Sequence, residues 1–176
     1  GVTYTAQIIG FDHDTLTTAD GSRTKAGITF QLVDCLKTTY SMNGSNTNVN
    51  GWRGSTMRTS TMATLLNQLS SDLKSVLKFV NKVTSVGNNS SGLETTSDKL
   101  FLLSEIEVFG ATRYSYAGEG KQYEYYTAGN STIKKVNGSA NYWWERSPYS
   151  GNATYFCCVD GNGNANFGSA SGSSGV

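Results

Sequence analysis

Histidine and proline each occur once in the 176 residues, and Asp, Glu, Lys and Arg together make up only 15%. A lone His13 is a thin basis for a nucleophile–histidine–acid triad. With a formal charge of +1 the chain carries no electrostatic footprint for nucleic acid or an anionic membrane. No apolar run approaches the roughly 20 residues of a membrane-spanning helix, which argues against membrane insertion. The three cysteines are an odd number and make no disulfide framework. Cys157 and Cys158 are neighbours, so in a strand they point to opposite faces and cannot pair. Reduced thiols are expected for both, one of them buried. No repeat of 20 to 50 residues is present, which removes solenoids and propellers. The chain opens on Gly1-Val2 without Met, as a processed chain or an excised piece would, so the missing leader says nothing of destination.

What is abundant is glycine, at 20 residues, with serine, threonine and asparagine around it. That composition fits one loop-rich α+β domain over residues 1–176. "TYTAQII" (3–9) and "AGITFQLVDCL" (26–36) read as strands, joined by a turn-rich connection with Asp20-Gly21 as a hairpin tip. Met62, Leu65, Leu66 and Leu69 follow the spacing of an amphipathic helix that Ser55 or Thr56 would cap. Leu73, Val76, Leu77 and Val80 repeat that spacing in a second, shorter helix. "NGSNTNVNG" (43–51) and "VGNNSSGLETTSD" (86–98) read as polar loops. "KLFLLSEIEVFG" (99–110) reads as a strand or short helix. Short strands and loops are expected to fill the second half.

Few constellations suggest chemistry. Asp12-His13-Asp14 clusters a histidine with carboxylates, but in a strand the two acids would flank His13 from the far side, so a solvated turn is the better reading. Cys157 and Cys158 have no nearby histidine or lysine in sequence to lower a thiol pKa. Glu105 and Glu107 would share one strand face, and with Glu119 and Glu124 they are expected to fill hydrogen-bonded or exposed roles. "GNGN" and "GSASGSSG" lack the Lys-Ser/Thr ending of a phosphate loop. No metal site and no cofactor is expected.

Four stretches carry a resemblance: "NVNGWRGSTMR" (48–58), "DKLFLLSEIEVFG" (98–110), "GEGKQYEYY" (118–126) and "YWWERSP" (142–148). In this order they resemble an uncharacterised bacterial and phage domain family marked by Trp-Trp-x-Arg-Ser-Pro. That family looks like a relative of the formylglycine-generating-enzyme branch of the C-type lectin-like fold. The resemblance implies two helices, short antiparallel strands, long loops, and a final apolar strand beyond Gly175-Val176. It also implies scaffold roles for Trp52, Arg58, Trp143, Trp144 and Arg146. Of the adjacent tryptophans, one would face the core and the other a neighbouring layer. Arg146 would be buried and paired with Glu105 or Glu107, while Trp52 and Arg58 would anchor the first helix.

Some members of that family are targets of diversity-generating retroelements, which rewrite adenines so that Asn codons become a restricted set excluding Lys, Glu, Gln, Met and Trp. From Ser147 to Val176 none of those five types occurs, and Asp160 is the only charge. The resemblance therefore implies a variable region over about 139–176. Its ligand-binding candidates are Tyr142, Tyr149, Gly151, Tyr155, Cys158, Asp160, Gly161, Phe167, Gly168, Ser169, Gly172 and Ser174. Tyrosine among Ser, Gly and Asn is also the composition of antibody contact loops. The chain up to Phe167 is expected to be ordered and the end from about Ala170 loose. The implied function is a non-enzymatic receptor-binding domain of a phage tail or bacterial cell surface. It would contact a host-surface protein or glycan, with a homotrimer expected if it caps a tail fibre. Rival readings are a structural virion or envelope module and an enzyme on a formylglycine-generating-like scaffold; a calcium-dependent sugar lectin is weaker still.

Overall fold

"WWERSP" forms a strand, β9 (Trp143–Pro148), in which all six residues are buried. A strand buried on both faces must find partners on both, and the fold is arranged around that demand. In the computed structural model, which describes residues 2–176, Trp143 packs with Ile9, Leu103, Tyr123 and Val159. Trp144 packs with Met42, Trp52, Met57 and Phe156 in a second core. Alternation along β9 thus sends the two adjacent rings into separate apolar clusters.

The elements are mixed α and β with small antiparallel sheets. β1 (Ala6–Phe11) pairs with β4 (Ile28–Leu32). β2 (Thr15–Asp20) and β3 (Arg23–Lys25) form a hairpin with its tip at the expected Asp20-Gly21. The supposed turn-rich connection is therefore largely strand. α1 (Gly51–Gly54) leads through a π-helical stretch, Met57–Met62, into α2 (Ala63–Gln68), and α3 (Ser71–Val76) follows. Ser55 Oγ accepts the Arg58 N–H at 3.1 Å and caps the π-helical stretch. Leu73 and Val76 stay exposed on α3, while Val80 belongs to β5 (Val80–Gly87). β5 pairs with β6 (Ser90–Asp98), which corrects the reading of 86–98 as a loop. Asn88 and Asn89, with φ of 55° and 57°, make the tight turn between them. The four strands run in the order β3-β2-β5-β6.

α4 (Glu105–Phe109) is the helical outcome for the 99–110 segment. Ser104 and Glu107 form a capping box at its start, each side chain bonding the other's backbone N–H. Glu105 and Glu107 therefore project differently from a helix and do not share a strand face. α5 (Glu124–Thr127) carries two of the clustered tyrosines. β7 (Lys134–Val136) and β8 (Ser139–Asn141) form a hairpin, and β9 enters a sheet of order β11-β10-β9. β10 is Tyr155–Val159 and β11 is Ala165–Ser169. Among the described residues there are five short α-helices where two helices were expected.

Arg146 is buried and fully hydrogen-bonded. Its guanidinium forks onto the Glu107 carboxylate and also donates to Thr84 Oγ1 (2.8 Å), Leu102 O (3.1 Å), Val83 O (3.1 Å) and Glu119 O (2.8 Å). Glu107 also pairs with Lys82 at 2.7 Å, and Lys82 with Asp14 at 2.8 Å. Two cations and two carboxylates thus neutralise each other out of water. Burial opposes ionisation of Asp14 and Glu107, but the cations beside them outweigh it and hold both below the usual carboxylate range. Asp14 and His13 are buried, so the Asp12-His13-Asp14 run is no solvated turn. His13 stacks on Tyr123 with ring centres 3.8 Å apart.

The end of the chain is held as firmly as its middle, which corrects the expectation of a loose tail. Ser174 and Tyr40 exchange backbone hydrogen bonds at 2.9 and 3.0 Å. Trp144 N–H donates to Gly175 O and Leu36 N–H to Val176 O. Gly175 is tight against Cys35, whose Sγ would lie 2.5 Å from an added Cβ.

Glu145, in mid-β9, is buried with neither carboxylate oxygen hydrogen-bonded to any described residue. Desolvation raises its pKa well above 4.5, and the neighbouring Glu105 and Glu119 push the same way. Such a group favours folding below its unfolded pKa and loses that contribution as pH rises through the folded value. Glu145→Gln should therefore gain stability over wild type progressively above pH 4.5, read from urea midpoints across pH. Arg146→Ala should cost about 3–5 kcal/mol at neutral pH, because it strands Glu107 without its main partner.

Candidate functional site

At one end of the β9–β11 sheet four aromatic rings meet at the surface. Tyr149 stacks on Phe167 with centroids 4.3 Å apart and an interplanar angle of 5°. Tyr114 meets the Phe167 ring edge-on at 5.0 Å, and Tyr155 lies 5.6 Å from it. All four side chains are half-buried, so each keeps an accessible part. The strand register explains the grouping: Tyr155 faces Ser169 and Cys157 faces Phe167 across β10–β11, so these residues share one sheet face. Phe156 and Gly168 point to the other face, where Trp144 lies beneath.

Three polar anchors hold the rings in place. Asn48, fully buried, donates its Nδ2 protons to Tyr149 O (3.3 Å), Asn152 O (3.0 Å) and Tyr155 O (2.8 Å). Its Oδ1 accepts the Asn88 N–H at 2.8 Å, and its own N–H reaches Ala153 O at 2.6 Å. One side chain thus shapes the whole 149–155 turn. Glu105 does the same for Tyr114, its carboxylate accepting the N–H groups of Arg113, Tyr114 and Ser115 at 2.8 to 3.0 Å. Asn46 Oδ1 accepts from Ser169 Oγ (2.6 Å) and Ala170 N (3.1 Å) at the end of β11.

The residues expected on the binding surface divide into three groups. Tyr149, Gly151, Tyr155, Phe167 and Ser169 gather at or beside the aromatic cluster. Tyr142, 45% exposed, lies with Asp160 and Gly161 toward the opposite end of the sheet, where Gly161 approaches Ala140. Asp160 closes the β10–β11 turn by accepting the N–H groups of Asn162 and Asn164 at 2.8 and 2.9 Å. These turn bonds, above all that from Asn164, lower its pKa. Gly172 sits in a turn, donating its N–H to Ser169 O at 2.8 Å.

Cys158 and Ser174 are corrections, since both are buried. Cys158 packs in the Trp144 core because it shares a face with buried Phe156, and Ser174 is locked to Tyr40. Gly168 is a further correction: an added Cβ would lie 3.0 Å from the Trp144 ring, so the position is close-packed on its inner side.

The scaffold residues are buried beneath the cluster or tied to its supports. Trp52 Nε1 and Arg58 Nε both donate to Asp98, at 3.0 and 2.7 Å. Trp143, Trp144 and Arg146 are fully enclosed. Among the described residues no group of His, Cys, Asp and Glu is arranged to hold a metal ion. All three cysteines are free and buried. Burial pushes the thiols of Cys157 and Cys158 well up and that of Cys35 to about 11, so none is activated as a nucleophile. Among the described residues no helix is long and apolar enough to cross a membrane.

A family described as a domain of unknown function, DUF6273, matches residues 26–176. The chain belongs to that family. No curated protein and no solved structure matches it. The aromatic cluster and all three of its anchors lie inside the DUF6273 region. Tyr114, Asn46 and Asn48 were not among the candidates from sequence. Only the position of Asn48, just ahead of Gly51-Trp52, hinted at a structural part.

Asn48→Ala should destabilise the domain by about 2–3 kcal/mol, because three carbonyls lose their common donor inside the protein. The 149–155 amides should lose hydrogen-exchange protection more than those of β5, which a uniform loss of stability would not produce.

Proposed function

We propose that this DUF6273 chain is a non-enzymatic binding domain with a C-type lectin-like fold, and that the Tyr114–Tyr149–Tyr155–Phe167 platform is its contact surface. The observation that carries the reading is the platform itself: four accessible rings whose surrounding backbone is pinned by side chains from elsewhere in the chain, Asn48 and Glu105 buried and Asn46 exposed. Aromatic residues on a rigid support give large contact area at low entropic cost. The mixed α+β architecture, with several small antiparallel sheets and a tail closing against residues 36–43, is compatible with the lectin-like assignment. Within this reading the platform meets a host-surface receptor, and the chain serves a phage tail or bacterial surface. Trimeric display on a tail fibre would add avidity. Buried, unactivated thiols take support from the enzyme alternative. A purely structural module would have no use for an accessible aromatic cluster.

Diversification is tested on the encoding DNA: a nearby imperfect repeat differing only at adenines supports it, and the absence of such a repeat removes it. The surface is tested by randomising positions 149, 155, 167 and 169 over Asn, Ser, Gly, Asp, Thr and Tyr. Each replacement should cost about 1 kcal/mol or less, whereas the same set at Cys158 or Ser174 should cost about 2 kcal/mol or more. Equal costs at both groups of positions would place the rings among the structural residues and end the binding-surface reading.

A further inference from the structure

β11 is the outer strand of its sheet, and its hydrogen-bonding phase can be fixed from the bonds at its ends. Ala170 N–H donates to Thr154 O and Asp160 N–H to Asn164 O, both at 2.9 Å. These bonds continue the register that sets Phe156 opposite Gly168 and Cys158 opposite Asn166. In an antiparallel ladder the hydrogen-bonded pairs alternate with non-bonded ones. The residues between, Ala165, Phe167 and Ser169, therefore turn their N–H and C=O groups away from β10.

Two of those outward groups are already occupied from within the strand's own neighbourhood. Asn166 Oδ1 accepts the Phe167 N–H at 2.8 Å, and Ser169 O accepts from Gly172. The Phe167 carbonyl and the Ser169 N–H have no hydrogen-bond partner among the described residues, and both residues are only half-buried. An unpaired strand edge with accessible backbone groups is a template for another strand. The side chains of Phe167 and Ser169 rise on the platform face, so a strand added about 4.8 Å away would lay alternate side chains against the platform rings.

We propose that the ligand is an extended polypeptide segment that adds to the free edge of β11 as a fourth strand. It would donate to the Phe167 carbonyl, accept from the Ser169 N–H, and set every second side chain on the aromatic platform. This rests on the platform reading and goes beyond it, since a glycan or the flat surface of a folded receptor would use the rings without the edge.

The test uses the whole chain and peptides selected against it from a displayed library of random seven-residue sequences. Selected peptides are then synthesised with N-methyl groups at alternate residues in the two possible phases. One phase should weaken binding about tenfold or more, and the other should leave it within about twofold. Ser169→Pro, which removes an outward N–H, should weaken binding similarly. Circular dichroism and thermal melting confirm that the variant is folded, and the N-methyl series gives its answer on the unmodified protein.

Equal loss in both phases, or indifference to both, overturns strand addition. So does a library that yields no binder, or binders that appear only on a glycan array. Where a ligand is found in those cases, loss of its binding in Tyr149→Ala would keep the platform as the contact surface. Ligands that bind Tyr149→Ala and Phe167→Ala as tightly as wild type would instead remove the platform reading itself.

Discussion

The guanidinium of Arg146 is the point on which the rest of the structure depends. It joins β9, β5, α4 and the loop at Glu119 through one planar group, and each of those elements carries something the platform needs. A lysine could not replace it, because a single ammonium lacks the fork that meets Glu107 while also reaching four other acceptors. The charge is tolerable inside only because Glu107 and Asp14 balance Arg146 and Lys82. Such a cluster adds little net stability compared with apolar packing, but any other pairing of these strands would leave buried charges unmatched. Its contribution is to single out one arrangement of β5, α4 and β9.

From that arrangement the platform follows in two steps. α4 is fixed by its capping box and by Glu107, which places Glu105 at the helix start, where its carboxylate collects the N–H groups of residues 113–115. Tyr114 is thereby set beside Phe167. On the other side, α1 follows Asn48, and the β5–β6 turn closes over that asparagine through Asn88. Gly87, at φ +73°, allows this approach, since a Cβ there would fall 1.9 Å from Asn48 O. Asn48 then gathers the carbonyls of the 149–155 turn. Buried charge decides where the elements lie, and buried amide and carboxylate groups decide where the rings stand.

Much of the scaffold was legible in the sequence, and less of the site. Strand alternation correctly divided Trp143 from Trp144, and the resemblance named Glu107 among the partners of Arg146. The same period of two, with Phe156 inside, also places Cys158 inside; the codon argument that set it on the surface ignored that alternation. β6 reads as a loop in the sequence because most of it is solvated, and Ser, Thr and Gly give little strand signal without an apolar face. Asp14 looked solvated because its partner Lys82 is 68 residues away. The anchoring role of Asn48 is not legible because its partners are main-chain carbonyls about a hundred residues later, and any sequence supplies carbonyls.

That last point bears on how this surface can serve recognition. Most anchors of the 149–170 region reach its backbone: Asn48 bonds main-chain atoms, Asn46 accepts the Ala170 N–H beside the Ser169 hydroxyl, Ser150 N–H bonds Tyr114 O, and the chain end bonds residues 36 and 40 through peptide groups. A contact made to a carbonyl survives replacement of the side chain beside it. The positions at the rings can therefore change identity without withdrawing the bonds that shape their turn, whereas Cys158 and Ser174 fill space that nothing else fills. Tolerance is thus confined to one face of β10 and β11 by the direction in which each residue points. It adjoins the outer edge of β11, where the Phe167 carbonyl and the Ser169 N–H have no partner among the described residues.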